Sequence, residues 1–300
     1  MKNKVLIIGG CGYIGSSLFN FLQNKGLDVD TVDLEWFGNY SVHKNINIDY
    51  RSLTKEFLSK YQSIVLLAAH SSVKMCENSM LPAFKNNVVN FVELINKIDK
   101  QRLIYASSSS VYGVVDTACD ETHDVYKPIS VYDTTKQEID NYALLSKKNY
   151  YGLRFGTVNG ASPNLRVDIM INAMVNSAMT NGHINLINAE TRRPILYIND
   201  LCRAVFEIVV SKEDNPGIYN LSSFNSTSGE IANRVAEILK VPIHDLGKSK
   251  VVYDFLINNA KFCKTYGFKF EGNVEKIVYN LYSNIENCEK THRNNEVNYL

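Results

Sequence analysis

Short, largely apolar runs alternate with longer amphipathic stretches through the first half of the chain. The runs are Val5–Ile8, Val29–Val32, Ile64–Ala68 and Leu103–Ala106, the signature of strands buried on both faces of a parallel sheet. Between them, helical spacing predicts helices over Ile14–Asn24, Ala83–Ile98 and Val131–Leu145. This alternation predicts an α/β chain built on a Rossmann-type doubly wound parallel sheet, with helices on both faces. A further strand is expected at Tyr150–Phe155. Beyond it the pattern loosens into Pro163, a helix at Ile169–Met179, a turn at Asn181–Gly182 and a strand at Ile184–Ile187. Helices at Leu201–Val210 and Glu230–Leu239 follow. Residues 1–156 are expected to form mainly the Rossmann domain. Residues 157–300 are expected to form mainly a smaller C-terminal substrate-binding lobe, with crossings between the two. The polar stretch after about Ser283 is expected to fray or to order only locally.

Charge and cysteine usage narrow the partners. Lysine and arginine number 32 against 31 acidic residues, a formal net charge of +1. That balance lacks the basic excess of a nucleic-acid or membrane-surface binder. Six cysteines are scattered without C-x-x-C or paired Cys/His spacing, which argues against a metal site or a disulfide framework and fits reduced thiols. Val5–Ile8 is too short for a signal-peptide core, and no later segment is long and apolar enough to span a bilayer. A cytoplasmic protein is expected.

Gly9-Gly10-Cys11-Gly12-Tyr13-Ile14-Gly15 joins the first apolar run to the first helical stretch. Gly9 permits a sharp turn, Gly12 lets backbone approach a pyrophosphate, and Gly15 lets helix pack closely on strand. The helix start then offers unpaired N–H groups and partial positive charge to phosphates. The second run leads to Asp33, about 20 positions on, where a carboxylate accepts from adenosine ribose hydroxyls. Leu34, Glu35 and Trp36 follow it, with no cation to meet a 2′-phosphate. Turn and acid together predict NAD rather than NADP.

Tyr132 and Lys136 stand four apart in a helical stretch and share a face. A phenol with a pKa of about 10 is a poor base at neutral pH, but a neighbouring ammonium favours the phenolate. The pair can then take a hydroxyl proton while hydride leaves the same carbon. With 18 tyrosines in the chain, the spacing alone fits an ordinary surface pair equally well. Its neighbours add weight. Ser107-Ser108-Ser109-Ser110-Val111-Tyr112-Gly113 sets a serine at the carboxyl end of a buried strand. Its hydroxyl can reach both a substrate oxygen and Tyr132 there; taken alone the segment reads as a polar loop.

In this order the motifs resemble the extended short-chain dehydrogenase/reductases, specifically the NAD-dependent sugar-nucleotide epimerase/dehydratase family, over roughly residues 4–275. The resemblance implies Ser108, Tyr132 and Lys136 as the catalytic set. It implies further cofactor contacts from Tyr13 and Ile14 in the glycine turn and from Asp49 and Tyr50 in Ile48-Asp49-Tyr50. Leu67, Ala68 and Ala69, then Asn87, and Phe155 after Leu153-Arg154 complete that set. On the substrate side it implies Thr157, Arg166 in Ser162-Pro163-Asn164-Leu165-Arg166-Val167-Asp168, Asn172, and Arg193 in Arg192-Arg193-Pro194. Arginine suits that work because its planar fork binds phosphate bidentately. The partner implied is a nucleotide-diphosphate sugar. Helices Ala83–Ile98 and Val131–Leu145 resemble those that pair across the family's homodimer.

Departures from the family pattern select among reactions. Dehydratases carry an acidic pair just after the catalytic hydroxyl; here Ser109 and Ser110 occupy those positions. Simple oxidation and reduction at a sugar carbon, with C4 expected, is the reading that remains. In an epimerase the keto-sugar turns over and takes the hydride back on its other face. The alternative is a dehydrogenase or 4-keto reductase on the same scaffold; a non-catalytic NAD-binding protein ranks last because Ser108, Tyr132 and Lys136 are all kept. Thr157 replaces a frequent asparagine, and no nucleotide-gripping arginine is evident around Val251-Val252-Tyr253-Asp254. Sugar and base stay open among UDP, GDP, CDP and dTDP.

Overall fold

The computed structural model describes residues 4–41, 44–125, 127–249 and 253–292. Six strands form one sheet: β1 (Lys4–Ile8), β2 (Asp28–Val32), β3 (Ser63–Leu66), β4 (Arg102–Ser108), β5 (Tyr150–Phe155) and β6 (Gly217–Leu221). Their order is β6-β5-β4-β3-β1-β2, and every pairing is parallel. The pleat explains why the runs are apolar throughout. Val5 and Ile7 of β1 enter one core with Leu18 and Leu22 of helix Tyr13–Asn24 and Val205 and Ile208 of helix Ile198–Val210. Leu6 and Ile8 enter the opposite core with Phe91 and Leu94 of helix Asn90–Lys97 and Ile139 of helix Val131–Ser146.

The strand order reverses at β1, which has β2 on one side and β3 on the other. The carboxyl ends of strands diverge at such a point and open a crevice.

Three expectations are corrected. The strand expected over Ile64–Ala68 ends at Leu66. The Leu67 and Ala68 N–H groups both turn onto the Ile8 carbonyl, at 2.8 and 3.0 Å, and the chain leaves the ladder there. The helix expected at Ala83–Ile98 begins at Met80 and carries a π-helical turn over Lys85–Val89 before Asn90–Lys97. Pro82 sits in its first turn, where a missing N–H does no harm. The polar stretch after Ser283 is held by pairing: Glu289–Thr291 runs parallel to Asn164–Arg166. Residues 293–300 of that stretch lie outside the described residues.

Beyond β5, helices Met170–Asn181, Ser228–Leu239 and Val274–Asn284 pack around Ile171, Val175, Ile231, Val235, Ile277 and Leu281. A three-stranded sheet of Phe224–Thr227, Arg192–Tyr197 and Thr157–Asn159 adjoins them. Helix Ile198–Val210 and β6 come from the second half of the chain yet complete the large sheet's layer. Among the described residues no helix is long and apolar enough to cross a membrane.

Candidate active site

A cleft of about 1010 Å³ opens over the carboxyl ends of β1, β3, β4 and β5. The glycine turn forms one wall. Gly9 has φ +91°, and a Cβ there would lie 2.5 Å from the Ala68 nitrogen. At Gly15 a Cβ would lie 2.0 Å from the Gly9 oxygen. Both are demanded by the fold. Gly12 is different: a Cβ would meet only the Gly9 oxygen, at 3.4 Å. Its open face looks into the cleft at the start of helix Tyr13–Asn24, where a pyrophosphate would be received. The residues therefore fit a dinucleotide.

Asp33 lines the same cleft, its carboxylate accepting from the Cys11 N–H at 3.0 Å and the Glu35 N–H at 2.6 Å. Those bonds fix it beside the glycine turn, in the place of a ribose acceptor. Ile14, Asp49, Tyr50, Leu67, Ala68, Ala69 and Phe155 also line the cleft. Asp49 is paired with Arg51 at 2.6 Å, and the Tyr50 hydroxyl donates to the Asn86 carbonyl at 2.9 Å. Tyr13 borders the cleft, but its hydroxyl is buried on the Gly160 carbonyl at 2.8 Å.

Asn87 lies outside the lining. Its oxygen accepts from the His70 N–H at 2.8 Å, while its NH₂ donates to the His70 carbonyl and the Thr135 hydroxyl, both at 3.1 Å. It ties the Leu67–His70 segment to the helix that carries Tyr132.

The four serines at the end of β4 divide by direction. Ser107 donates to Asp140 at 2.9 Å and Ser109 to the Phe155 carbonyl at 2.7 Å. Ser108 and Ser110 are 2.8 Å apart, and the Ser108 hydroxyl reaches Tyr132. Burial pushes Tyr132 up to about 12, and the Ser108 hydrogen bond pulls the other way. Lys136, only 4% exposed, is drawn down to about 8 by burial. Its ammonium donates to the Ala106 carbonyl at 2.6 Å and stands 5.6 Å from the Tyr132 ring centroid. Burial and the Ser108 hydroxyl are the strongest influences on the Tyr132 phenol here.

Thr157, Arg166 and Arg193 line the opposite end. Arg193 donates to the Tyr253 carbonyl and, at 3.1 Å, to the Arg192 carbonyl. It has no ion-pair partner among the described residues, and burial lowers its pKa. Arg166 is committed to Asp168 by two bonds of 3.0 and 2.7 Å. Asn172 is fully buried outside the lining; its oxygen accepts from the Gly160 N–H at 2.9 Å, and its NH₂ donates to the Tyr13 hydroxyl and the Arg166 carbonyl. Its amide is spent on holding the glycine turn's helix to the second lobe, which leaves no group for a diphosphate.

Three features escaped the sequence reading. Trp36 and Tyr253 line the cleft, and Asp133, only 1% exposed, accepts from Ser110 at 2.7 Å. The only sequence signal for Asp133 was its place three residues after Ser130, a helix-start spacing. Val251 and Val252 lie outside the described residues.

Fold and cleft together bring the glycine turn, Asp33, Ser108, Tyr132 and Lys136 to one site. The chain belongs to the NAD dependent epimerase/dehydratase family, whose model matches residues 5–222. It is an enzyme, and its cofactor is NAD. The ADP-L-glycero-D-manno-heptose-6-epimerase of Brachyspira hyodysenteriae is 27% identical over 260 residues, spanning 79% of this chain and 81% of its own. A UDP-glucose 4-epimerase of Lactobacillus helveticus is 28% identical over 174 residues, 53% of each chain. Among solved structures, UDP-glucuronic acid 4-epimerase from Bacillus cereus, in complex with UDP-glucuronic acid and NAD, superposes with a TM-score of 0.81 at 19% identity. That match covers 94% of this chain and 99% of the other. An NAD-dependent NDP-hexosamine 5,6-dehydratase of tunicamycin biosynthesis gives 0.84 at 20% identity, covering 96% and 99%. These two likenesses speak to the fold.

Proposed function

We propose that the protein is a nucleotide-sugar epimerase acting at a sugar carbon, C4 in the first instance. The observation that carries this reading is the convergence of Ser108, Tyr132 and Lys136 on the cleft that the glycine turn and Asp33 also line. NAD, when bound, would supply the hydride acceptor and donor for the sugar carbon. The chain's own residues do the rest. Asp33 accepts from the adenosine ribose, and Lys136 orients the nicotinamide ribose. Tyr132 exchanges the proton of the reacting hydroxyl, and Ser108 holds that oxygen. Arg193 supplies a cation for the diphosphate, whereas the Arg166 charge is already matched by Asp168. Nucleotide sugars named with related enzymes, UDP-glucuronic acid among them, support this substrate class.

The working unit is a homodimer. Supporting this are the exposed apolar residues Met80, Leu81 and Phe84 on one helix and Leu144 and Leu145 on the other.

Incubation with UDP-, GDP-, CDP-, dTDP- and ADP-sugars tests the function. The expected product is an inverted sugar without net NADH, with the inverted carbon read by NMR. Stoichiometric NADH or a released ketone would instead make it a dehydrogenase or reductase, and loss of water a dehydratase. Tyr132→Phe should lower turnover by roughly 10²–10⁴-fold with NAD still bound. A fully active Phe variant overturns the assignment.

A further inference from the structure

Ser108, Ser110 and Asp133 stand in file at one end of the cleft. The Ser110 hydroxyl donates to Asp133 Oδ1 at 2.7 Å, and Ser110 Oγ lies 2.8 Å from Ser108 Oγ. Asp133 Oδ2 accepts from the Tyr253 and Ser130 hydroxyls, each at 2.8 Å. Helix capping explains only part of this. Ser130 Oγ takes the Asp133 N–H at 3.1 Å as an N-cap, which requires neither Ser110 nor Tyr253. A buried carboxylate fed by hydroxyls from three segments, with no ion-pair partner among the described residues, is a costly arrangement to keep for a cap alone.

The proton count gives the file a direction. Each hydroxyl has one proton, and a carboxylate has none to give. Ser110 directs its proton to Asp133, so the proton between the two serines belongs to Ser108. Ser108 Oγ also accepts the Ser110 N–H at 3.2 Å. One lone pair remains, on the side where Tyr132 reaches Ser108. The file therefore begins with an acceptor beside Tyr132 and ends in a base.

We propose that Ser108, Ser110 and Asp133 form a proton relay serving the reacting sugar oxygen, with Asp133 as its terminal base. This rests on the hydride-transfer reading above. The sugar O–H bond breaks as its proton passes to Ser108; the Ser108 proton passes to Ser110, and the Ser110 proton to Asp133, which becomes a carboxylic acid. The carbon gives up hydride to the family's nicotinamide dinucleotide, the oxidant, and C–O becomes C=O. Every hydroxyl in the file has then turned round, so Ser108 donates to the new carbonyl. A ketone needs that polarity. Return of hydride runs the file backwards. Ser110 and Asp133 act through Ser108 as positioning residues, and neither touches the sugar. The relay offers the proton a route besides Tyr132, whose own hydroxyl is held protonated by burial.

Two measurements on the NAD-loaded protein test it. Neutron diffraction should find deuterium on Ser110 directed to Asp133 and on Ser108 directed to Ser110. A Ser108 deuterium pointing into the cleft overturns the relay whether or not any sugar turns over. The second measurement is single-turnover cofactor reduction in Tyr132→Phe by the sugar that wild type uses. Its residual rate should fall about tenfold further with Ser110→Ala or Asp133→Asn and recover with Ser110→Thr. Its proton inventory in mixed H₂O and D₂O should be curved with Ser110 present and linear with Ser110→Ala. An unchanged residual rate overturns the relay. Ser110→Ala keeps the test decisive if Asp133→Asn does not fold. A wild type that shows the expected deuterium pattern but transfers hydride with no nucleotide sugar supports the file's polarity and overturns the epimerase reading instead.

Discussion

A single methyl group separates what the fold requires at the glycine turn from what a ligand requires. A Cβ at Gly15 would sit 2.0 Å from the Gly9 oxygen, whereas one at Gly12 finds 3.4 Å. Gly15→Ala should therefore lower the apo protein's melting temperature. Gly12→Ala should leave it near wild type while weakening NAD binding at least about tenfold, as titration calorimetry would read. Equal damage from both substitutions would remove the argument that Gly12 answers to the pyrophosphate. Lys136 carries the other residue-scale prediction. Burial lowers its folded pKa to about 8 from 10.5, so the unfolded chain binds more protons between those values. The penalty is fully present below about pH 8 and is relieved as pH rises towards 10.5. Lys136→Met should thus stabilise the apo protein at pH 7 by about 1 kcal/mol in urea melts while abolishing turnover. A loss of stability would count against burial as the cause.

At the scale of elements, one buried group braces the site from beneath. Asp140 lies one turn beyond Lys136 on helix Val131–Ser146 and accepts from Ser107 at the end of β4, Tyr105 within it and Arg154 in β5. Arg154 is 5% exposed and also donates to the Tyr112 hydroxyl at 2.8 Å. Asp140 and Tyr112 hold the Arg154 pKa above its usual value against the penalty of burial. Arg154→Leu strands a buried carboxylate and should destabilise by about 3–5 kcal/mol in equilibrium unfolding; a cost below about 1 kcal/mol would refute the bracing role. Strands and helices were legible in the chain because apolar runs and helical stripes record burial directly. Three details were not. The early end of β3 comes from two N–H groups turning onto the Ile8 carbonyl. The π-helical turn at Lys85–Val89 breaks no pattern visible in the residues. The order of Glu289–Thr291 depends on a partner strand more than a hundred residues away.

Across the whole molecule, the apolar residues left outside are as informative as the core. Leu145 is 78% exposed and Leu144 65%, and Met80 and Leu81 on the adjoining helical segment are 60% and 63% exposed. If these helices pair between two copies, Leu145→Glu should shift the protein from dimer to monomer in sedimentation velocity. A monomeric wild type would dispose of the homodimer. The cleft shows where local reading ends. Gly9 to Asp33, Ser108, Tyr132 and Lys136 could be read from the residues, because turn chemistry, strand ends and helical spacing act over short distances along the chain. Asn87 and Asn172 could not be placed in that way: each amide is spent on backbone or neighbouring side-chain groups that only the folded chain brings near. The same holds for Asp133. Its meeting with Ser110 and Tyr253 joins three segments, and the direction of a hydroxyl's proton depends on which groups surround it in space. The sequence by itself determined the sheet, the dinucleotide turn and the tyrosine–lysine pair. Only the tertiary structure decided which polar groups face the cleft and which are consumed in holding it together.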